Sequence, residues 1–132
     1  MANNPLIDIK TMLSHYNFKT EQITPERLEF RFKLLEEEFT ELQTARENAD
    51  AEETVDALID IVVIALGTLE LAGVDTAKAW NEVHWANMTK IKGAKPGRES
   101  DGWDLYKPLN WKAPSHADNH GKLSNLLKGK NL

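Results

Sequence analysis

Between Pro5 and Tyr16 the apolar residues Leu6, Ile9 and Leu13 recur three and four positions apart, a spacing that predicts a short amphipathic helix with Pro5 tolerated in its first turn. A longer helix is predicted from Thr24-Pro25-Glu26 to about Ala49. Thr24 can cap the first free amides, Pro25 is preset for the first helical position, and Glu26 suits the positive end of the helix dipole. No proline or glycine interrupts the stretch that follows, and Leu28, Phe32, Leu35, Phe39 and Leu42 form one apolar stripe with Phe30 and Leu34 on its shoulder. A third helix should start near Ala51 and close at Ala72-Gly73, where glycine can adopt the left-handed conformation. Val74-Asp75-Thr76 then opens a fourth, from Ala77 to about Lys92. No alternating run bounded by turn residues marks a strand before that point. The expected fold class is therefore all-α, a small antiparallel bundle of four to five helices, because a connection as short as Asn48 to Ala51 leaves only antiparallel neighbours.

Beyond Lys92 the pattern breaks at Gly93, Pro96, Gly97, Gly102, Pro108 and Pro114. Trp103, Tyr106 and Trp111 are spaced among these breakers, which favours an ordered but irregular arm over residues 93–114 rather than a solvated linker. From Ser115 onward only Leu123, Leu126 and Leu127 are able to dock, so a frayed tail with one helical turn is expected over residues 115–132. With 132 residues, the chain has the size of a single domain with one core, here read as residues 1–132 with the core helices at about 24–92.

Composition removes several function classes. The absence of cysteine excludes disulfides, a thiolate nucleophile and cysteine-ligated metal. The longest uncharged apolar run, Ile61 to Leu69, is less than half a bilayer span. A net charge of −5 argues against a nucleic-acid polymer as partner, yet leaves room for a small anion bridged by cations. Met1 to Lys10 carries no secretion signal, and a cytoplasmic location with no membrane partner is expected.

The informative residues are acids on the wrong face. On the second helix Glu36 is a solvated charge and Glu37 stands at the border, but Glu38 lies among Leu34, Leu35 and Leu42, with Glu41 one turn further along the same edge. On the third helix the run from Ala57 to Thr68 is apolar all round except for Asp60, with Asp56 one turn before it and Glu53 one turn before that. An ionised carboxylate in such surroundings must be neutralised, paired or bound to a cation. Pairing with a base has one candidate, Arg31, on the same edge as Glu38; Ala51 to Ala72 contains no Lys or Arg. A carboxylate-bridged di-iron site needs Glu-x-x-His, and none of the four histidines has Glu three residues before it. The favoured reading is a Mg²⁺ site, with Mn²⁺ as substitute, built from carboxylates of two antiparallel helices, since hard cations take oxygen ligands and keep positions open for phosphate oxygens.

Glu37-Glu38-Phe39-Thr40-Glu41-Leu42, then Asp56-Ala57-Leu58-Ile59-Asp60, then Glu82 to Lys90 containing Asn87-Met88-Thr89-Lys90, together resemble the all-α nucleoside triphosphate pyrophosphohydrolase superfamily. Within it the phosphoribosyl-ATP pyrophosphohydrolase-like, MazG-related branch is the most similar, over roughly residues 24 to 114, with Arg31, Asp101-Gly102, Lys107-Pro108 and Trp111-x-x-Pro114 fitting the same branch. The resemblance implies a Mg²⁺-dependent enzyme that releases a nucleoside monophosphate and pyrophosphate, in a helical bundle completed by dimerisation. It implies Glu38 and Glu41 as the first metal-binding pair and Asp60 as half of the second. The Glu expected three residues before Asp60 is Ala57 here, and Asp56 is taken as its substitute, in preference to the literal Glu53-x-x-Asp56.

Glu37 or Glu41 is the candidate catalytic residue that orients a metal-acidified water or accepts its proton. Asn87, Lys90, Arg31 and Lys107 are candidates for substrate binding, with Arg98 also placed to close over phosphates and Trp103 or Trp111 to stack on a base. His84 reads as a half-buried packing residue, and Trp80 and Trp85 as core or interface. A free nucleoside or deoxynucleoside triphosphate ranks ahead of phosphoribosyl-ATP, and a non-catalytic dimeric adaptor with an acidic groove is the rival from another class. A helix apolar on every side needs cover on every side, so a homodimer or a dimer of dimers is expected.

Overall fold

The computed structural model describes residues 4–98 and 101–129. Helix α1, Pro5–His15, is capped by the Asn4 side chain, which accepts from the amides of Leu6 and Ile7. A short 3-10 turn at Thr20–Gln22 leads into α2, Pro25–Glu47, where Thr24 Oγ1 accepts from the Arg27 amide at 3.2 Å as its sequence position predicts. Helix α3, Ala51–Leu71, begins at Asp50, whose carboxylate accepts from the Glu53 amide at 3.1 Å. The reversal between α2 and α3 needs only Asn48 to Asp50, because Ala49 takes a left-handed backbone (φ 51°). Helix α4 spans Thr76–Met88, strands β1 (Ile91–Lys92) and β2 (Leu105–Tyr106) pair antiparallel, and α5 covers Leu123–Leu127.

The contacts divide the chain into two compact units. The first runs to Thr76 and resumes at Asn119. In it α3 packs against both α2 and α1, and the core gathers Ile9, Leu13 and Leu66, with Leu6, Val63 and Leu71 against them. Leu28 (2% exposed), Ala45 and Ala57 seal the α2–α3 seam. The rest of the predicted α2 stripe is less covered, and Phe39 is 56% exposed. Val55, Leu58, Ile59 and Val62, which share the other side of α3 at helical spacing, are also exposed, so the helix that was expected to be apolar all round is covered on one side only within this chain.

The helical turn expected in the tail is α5, and it docks on the first unit. Asn119 and Asp75 exchange two hydrogen bonds (2.7 and 2.8 Å), the Lys122 amide donates to Ala72 O at 2.7 Å, and Leu126 is buried on the first unit.

The second unit, residues 77–118, holds the body of α4 and the arm. Helix α4 stops at Met88 rather than Lys92, because the amides of Thr89 and Lys90 turn back to Ala86 O and Asn87 O and the chain then enters β1. The arm is therefore a hairpin, with Ile91 opposite Tyr106 and Lys92 opposite Leu105, and Arg98 forks onto the Asp104 carboxylate at 2.6 and 3.0 Å. A two-residue ladder carries no periodic signal, which is why the sequence reads as irregular there. No described helix is long and apolar enough to cross a membrane.

Candidate active site

The acids from α2 and α3 do come together. Glu38 is half-buried, its Oε2 is fully enclosed, and that oxygen has no hydrogen-bond partner among the described residues. Burial first, then the adjacent Glu41 carboxyl, then repulsion from Asp60 and Asp56 push the Glu38 carboxyl up to about 7. Asp60, also half-buried, is raised by the same loss of solvent and by repulsion from Asp56 and Glu41. Glu41 and Asp56 lie on the open side of the group and are exposed. Each predicted ligand thus acts on at least one other, across the α2–α3 seam.

Glu53 belongs to the group as well. It is half-buried at the first turn of α3, and its carboxyl is raised by partial burial and by repulsion from Asp56, Glu41, Asp50 and Asp60. Preference for Asp56 with Asp60 had set it aside, although Glu53, Asp56 and Asp60 follow at i, i+3 and i+7 on one helix face, a signal present in the sequence. The charges acting on Glu38 come from Glu41, Asp60 and Asp56; Glu37 is exposed and not among them.

Among the described residues, no ion pair joins a base to these acids. Arg31, the one candidate, points elsewhere: its Nε donates to Thr68 Oγ1 at 3.1 Å and its Nη2 to Ile64 O at 3.0 Å, and partial burial lowers its pKa. Among the described residues the ion pair at hydrogen-bond distance is Arg98 with Asp104, far along the chain. The disfavoured alternative, in which Arg31 pairs with the inward acids, is therefore not met. Arg31 is occupied in fastening α2 to α3, which accounts for its burial without a substrate contact.

Five carboxyls held near one another without a cationic side chain suit a hard divalent cation, which carboxylate oxygens bind well. The orphaned Glu38 Oε2 is the most specific sign of that fit. The oxygens are not drawn into a finished cage, since no group of three or more acidic or histidine side chains among the described residues converges to metal-binding geometry. Like charges keep apart by Coulomb repulsion, which an unneutralised group of carboxylates feels throughout.

The remaining candidates lie in the second unit. Asn87 is exposed near the end of α4. Lys90 and Lys107 both approach the Trp111 ring, at 5.4 and 5.1 Å from its centroid, while Trp111 Nε1 donates to Ala86 O at 2.9 Å. Trp111 thus organises two lysines instead of offering a free face for a base. Trp103 is 91% exposed. Arg98 is committed to Asp104 and is not a free phosphate ligand. His84 is exposed and packs on Trp85 at 5.5 Å between centroids, rather than half-buried in a core, and Trp80 and Trp85 are exposed in the single chain.

The family model for phosphoribosyl-ATP pyrophosphohydrolase matches residues 9–87, a span that takes in α2, α3 and the whole acid cluster. No curated protein sequence matches the chain.

Proposed function

The chain belongs to the phosphoribosyl-ATP pyrophosphohydrolase family, and from that premise we propose that it uses Mg²⁺ or Mn²⁺, held by Glu38, Glu41, Asp56 and Asp60, to hydrolyse a nucleoside triphosphate unit to monophosphate and pyrophosphate. That it is a hydrolase acting on a phosphoric anhydride follows from the family; the metal and the substrate are the proposal. The observation that carries it is the enclosed Glu38 Oε2, without a hydrogen-bond partner, among four further acids that form no ion pair with a base among the described residues.

A bound divalent ion supplies the positive charge against which a triphosphate is held, and makes a nearby water more acidic. Everything else falls to side chains. Glu38 and Asp60 offer oxygens from facing helices, with Glu41 and Asp56 closing from the open side. Glu37 or Glu41 orients the attacking water and takes its proton. Within the second unit, Lys90 and Lys107, tethered on Trp111, and Asn87 are the groups whose chemistry suits phosphate and sugar oxygens.

Two substrates fit this scheme. A free nucleoside or deoxynucleoside triphosphate ranks first on sequence, whereas the family match favours phosphoribosyl-ATP. The eight common triphosphates and phosphoribosyl-ATP, incubated with Mg²⁺ or Mn²⁺ and assayed separately for pyrophosphate and phosphate, decide between them. Pyrophosphate without phosphate supports the reaction, and release of phosphate alone, or of neither, contradicts it. We further propose a homodimer or dimer of dimers, with the exposed row Val55, Leu58, Ile59 and Val62 of α3 covered by a second copy, and a cytoplasmic setting.

A further inference from the structure

Between the end of α1 and the start of α2 the first unit contains a cavity of about 680 Å³, a size suited to a small-molecule ligand. Its walls combine three aromatic rings, Tyr16, Phe18 and Phe30, with three cations, Lys19, Arg27 and Arg31, and no acid. In a chain with net charge −5 that segregation of charge is pronounced. Each ring is more than half exposed, at 62%, 55% and 60% respectively, so their apolar faces are left in water around one concavity. Tyr16 and Phe18 lie nearly parallel, 6.1 Å between centroids and 28° between planes. Arg27 is steadied by donating Nη1 to Gln22 O, and Arg31 by its bonds to α3.

The cavity also has a fixed relation to the acids. Arg27, Arg31, Leu34, Glu38 and Glu41 succeed one another at four and three residues along α2, one face of the helix throughout. Arg31 and Glu38 are seven residues apart, about 10 Å of helix rise. The positive, aromatic end and the acidic end thus belong to one strip of α2.

We propose that this cavity binds an aromatic ring that carries a phosphate, the ring against Tyr16, Phe18 and Phe30 and the phosphate against Lys19 and Arg27. Choosing a nucleotide among aromatic anions rests on the pyrophosphohydrolase reading. Phosphoribosyl-ATP carries a further phosphate beyond its base, so its far end can supply both ring and phosphate; a free nucleoside triphosphate has all its phosphates in the chain held at the acids, and with that substrate the cavity takes a separate nucleotide.

The probe is AMP, titrated calorimetrically into the full-length protein in EDTA, with adenosine and ribose 5-phosphate as half-ligands. Saturable AMP binding, at least tenfold weaker for either half-ligand and at least tenfold weaker in Lys19→Gln and in Phe18→Leu, is the expected result. Lys19 is an exposed side chain, so Lys19→Gln tests the charge without risk to the fold even where Phe18→Leu unfolds. Glu38→Gln should leave AMP binding unchanged. Absence of AMP binding to the parent protein, binding that survives Lys19→Gln undiminished, or binding lost in Glu38→Gln overturns the assignment. Hydrolysis is read separately: AMP that binds as expected to a protein releasing no pyrophosphate keeps the cavity and removes the enzymatic reading. In an active protein, inhibition by AMP that is lost in Lys19→Gln reports the cavity, competitive inhibition marking ring and phosphate as part of the substrate and non-competitive inhibition a second nucleotide; inhibition undiminished in Lys19→Gln places AMP at the acids as product and overturns the assignment.

Discussion

Gly67 on α3 leaves the space that the Arg31 guanidinium fills: a Cβ built on Gly67 would stand 2.6 Å from Arg31 Nη2, well inside van der Waals contact. A free arginine would swing aside at little cost. This one is fastened by Nε to Thr68 and by Nη2 to Ile64 O, so moving it breaks two hydrogen bonds in a part-buried setting. Alanine in place of a mid-helix glycine should otherwise gain about 1 kcal/mol of helix propensity. Gly67→Ala is expected to reverse that sign and destabilise by about 1–3 kcal/mol, as overpacking does. Thermal unfolding checks it, and the double variant with Arg31→Ala should lose less than the sum of the two singles.

The acid cluster makes stability depend on pH in a defined direction. Glu38 is raised from 4.5 to about 7 in the folded chain, so between those values the folded state holds a proton that the unfolded state has released. Stability should then fall as pH rises through that window and level off above it. Melting in EDTA between pH 4.5 and 7.5 should show the fall, and Glu38→Gln should flatten it. Millimolar Mg²⁺ favours the ionised carboxylates and should recover the loss at pH 7.5, by about 1.4 kcal/mol at ten times its dissociation constant. A melting temperature in EDTA that rises across this window contradicts the assignment of the shift.

The docked tail depends on one glycine. Gly121 has φ 54°, and a Cβ there would lie 2.2 Å from Ala72 O and 2.6 Å from Gly73 C, both backbone atoms that cannot step aside. Gly121→Ala should therefore expel the segment that carries the Lys122 bonds to Ala72 O and Thr20 O. Faster amide exchange at Lys122 and Leu126, with a lowered melting temperature, is the expected signature.

The uncovered α3 row is open to direct test. Leu58→Glu with Ile59→Glu places two charges where a second copy is proposed to pack. Light scattering should give a multimer for the parent chain and a monomer for the double variant, with most pyrophosphate release lost if the site is completed across copies. A parent chain that is monomeric at micromolar concentration contradicts the proposed dimer.

The helices were legible because caps and apolar period agree: Thr24 and the Leu28 stripe announce α2, and Gly73 marks the end of α3. The inward acids were legible for the converse reason, a carboxylate such as Asp60 standing where hydrocarbon belongs. Glu53 was visible on the same face but outweighed by register with the apolar run. The contacts of Arg31 were not readable, because its acceptors are the carbonyl of Ile64 and the hydroxyl of Thr68, which no charge pattern signals. The β1–β2 ladder and the bonds that dock the tail were missed because both are few, long-range backbone bonds, such as Lys122 to Ala72, although the tail's helical turn was legible. Burial of Phe39 was expected from periodicity, which marks a face as apolar without saying whether its own chain or another copy covers it.

The most direct test replaces one carboxylate on each helix by its neutral isostere. Pyrophosphate release in Mg²⁺ from the substrate that proves best should fall at least a hundredfold in Glu38→Gln and in Asp60→Asn, with the helical circular dichroism of the parent retained. Release from Asp60→Asn at the parent rate contradicts the account.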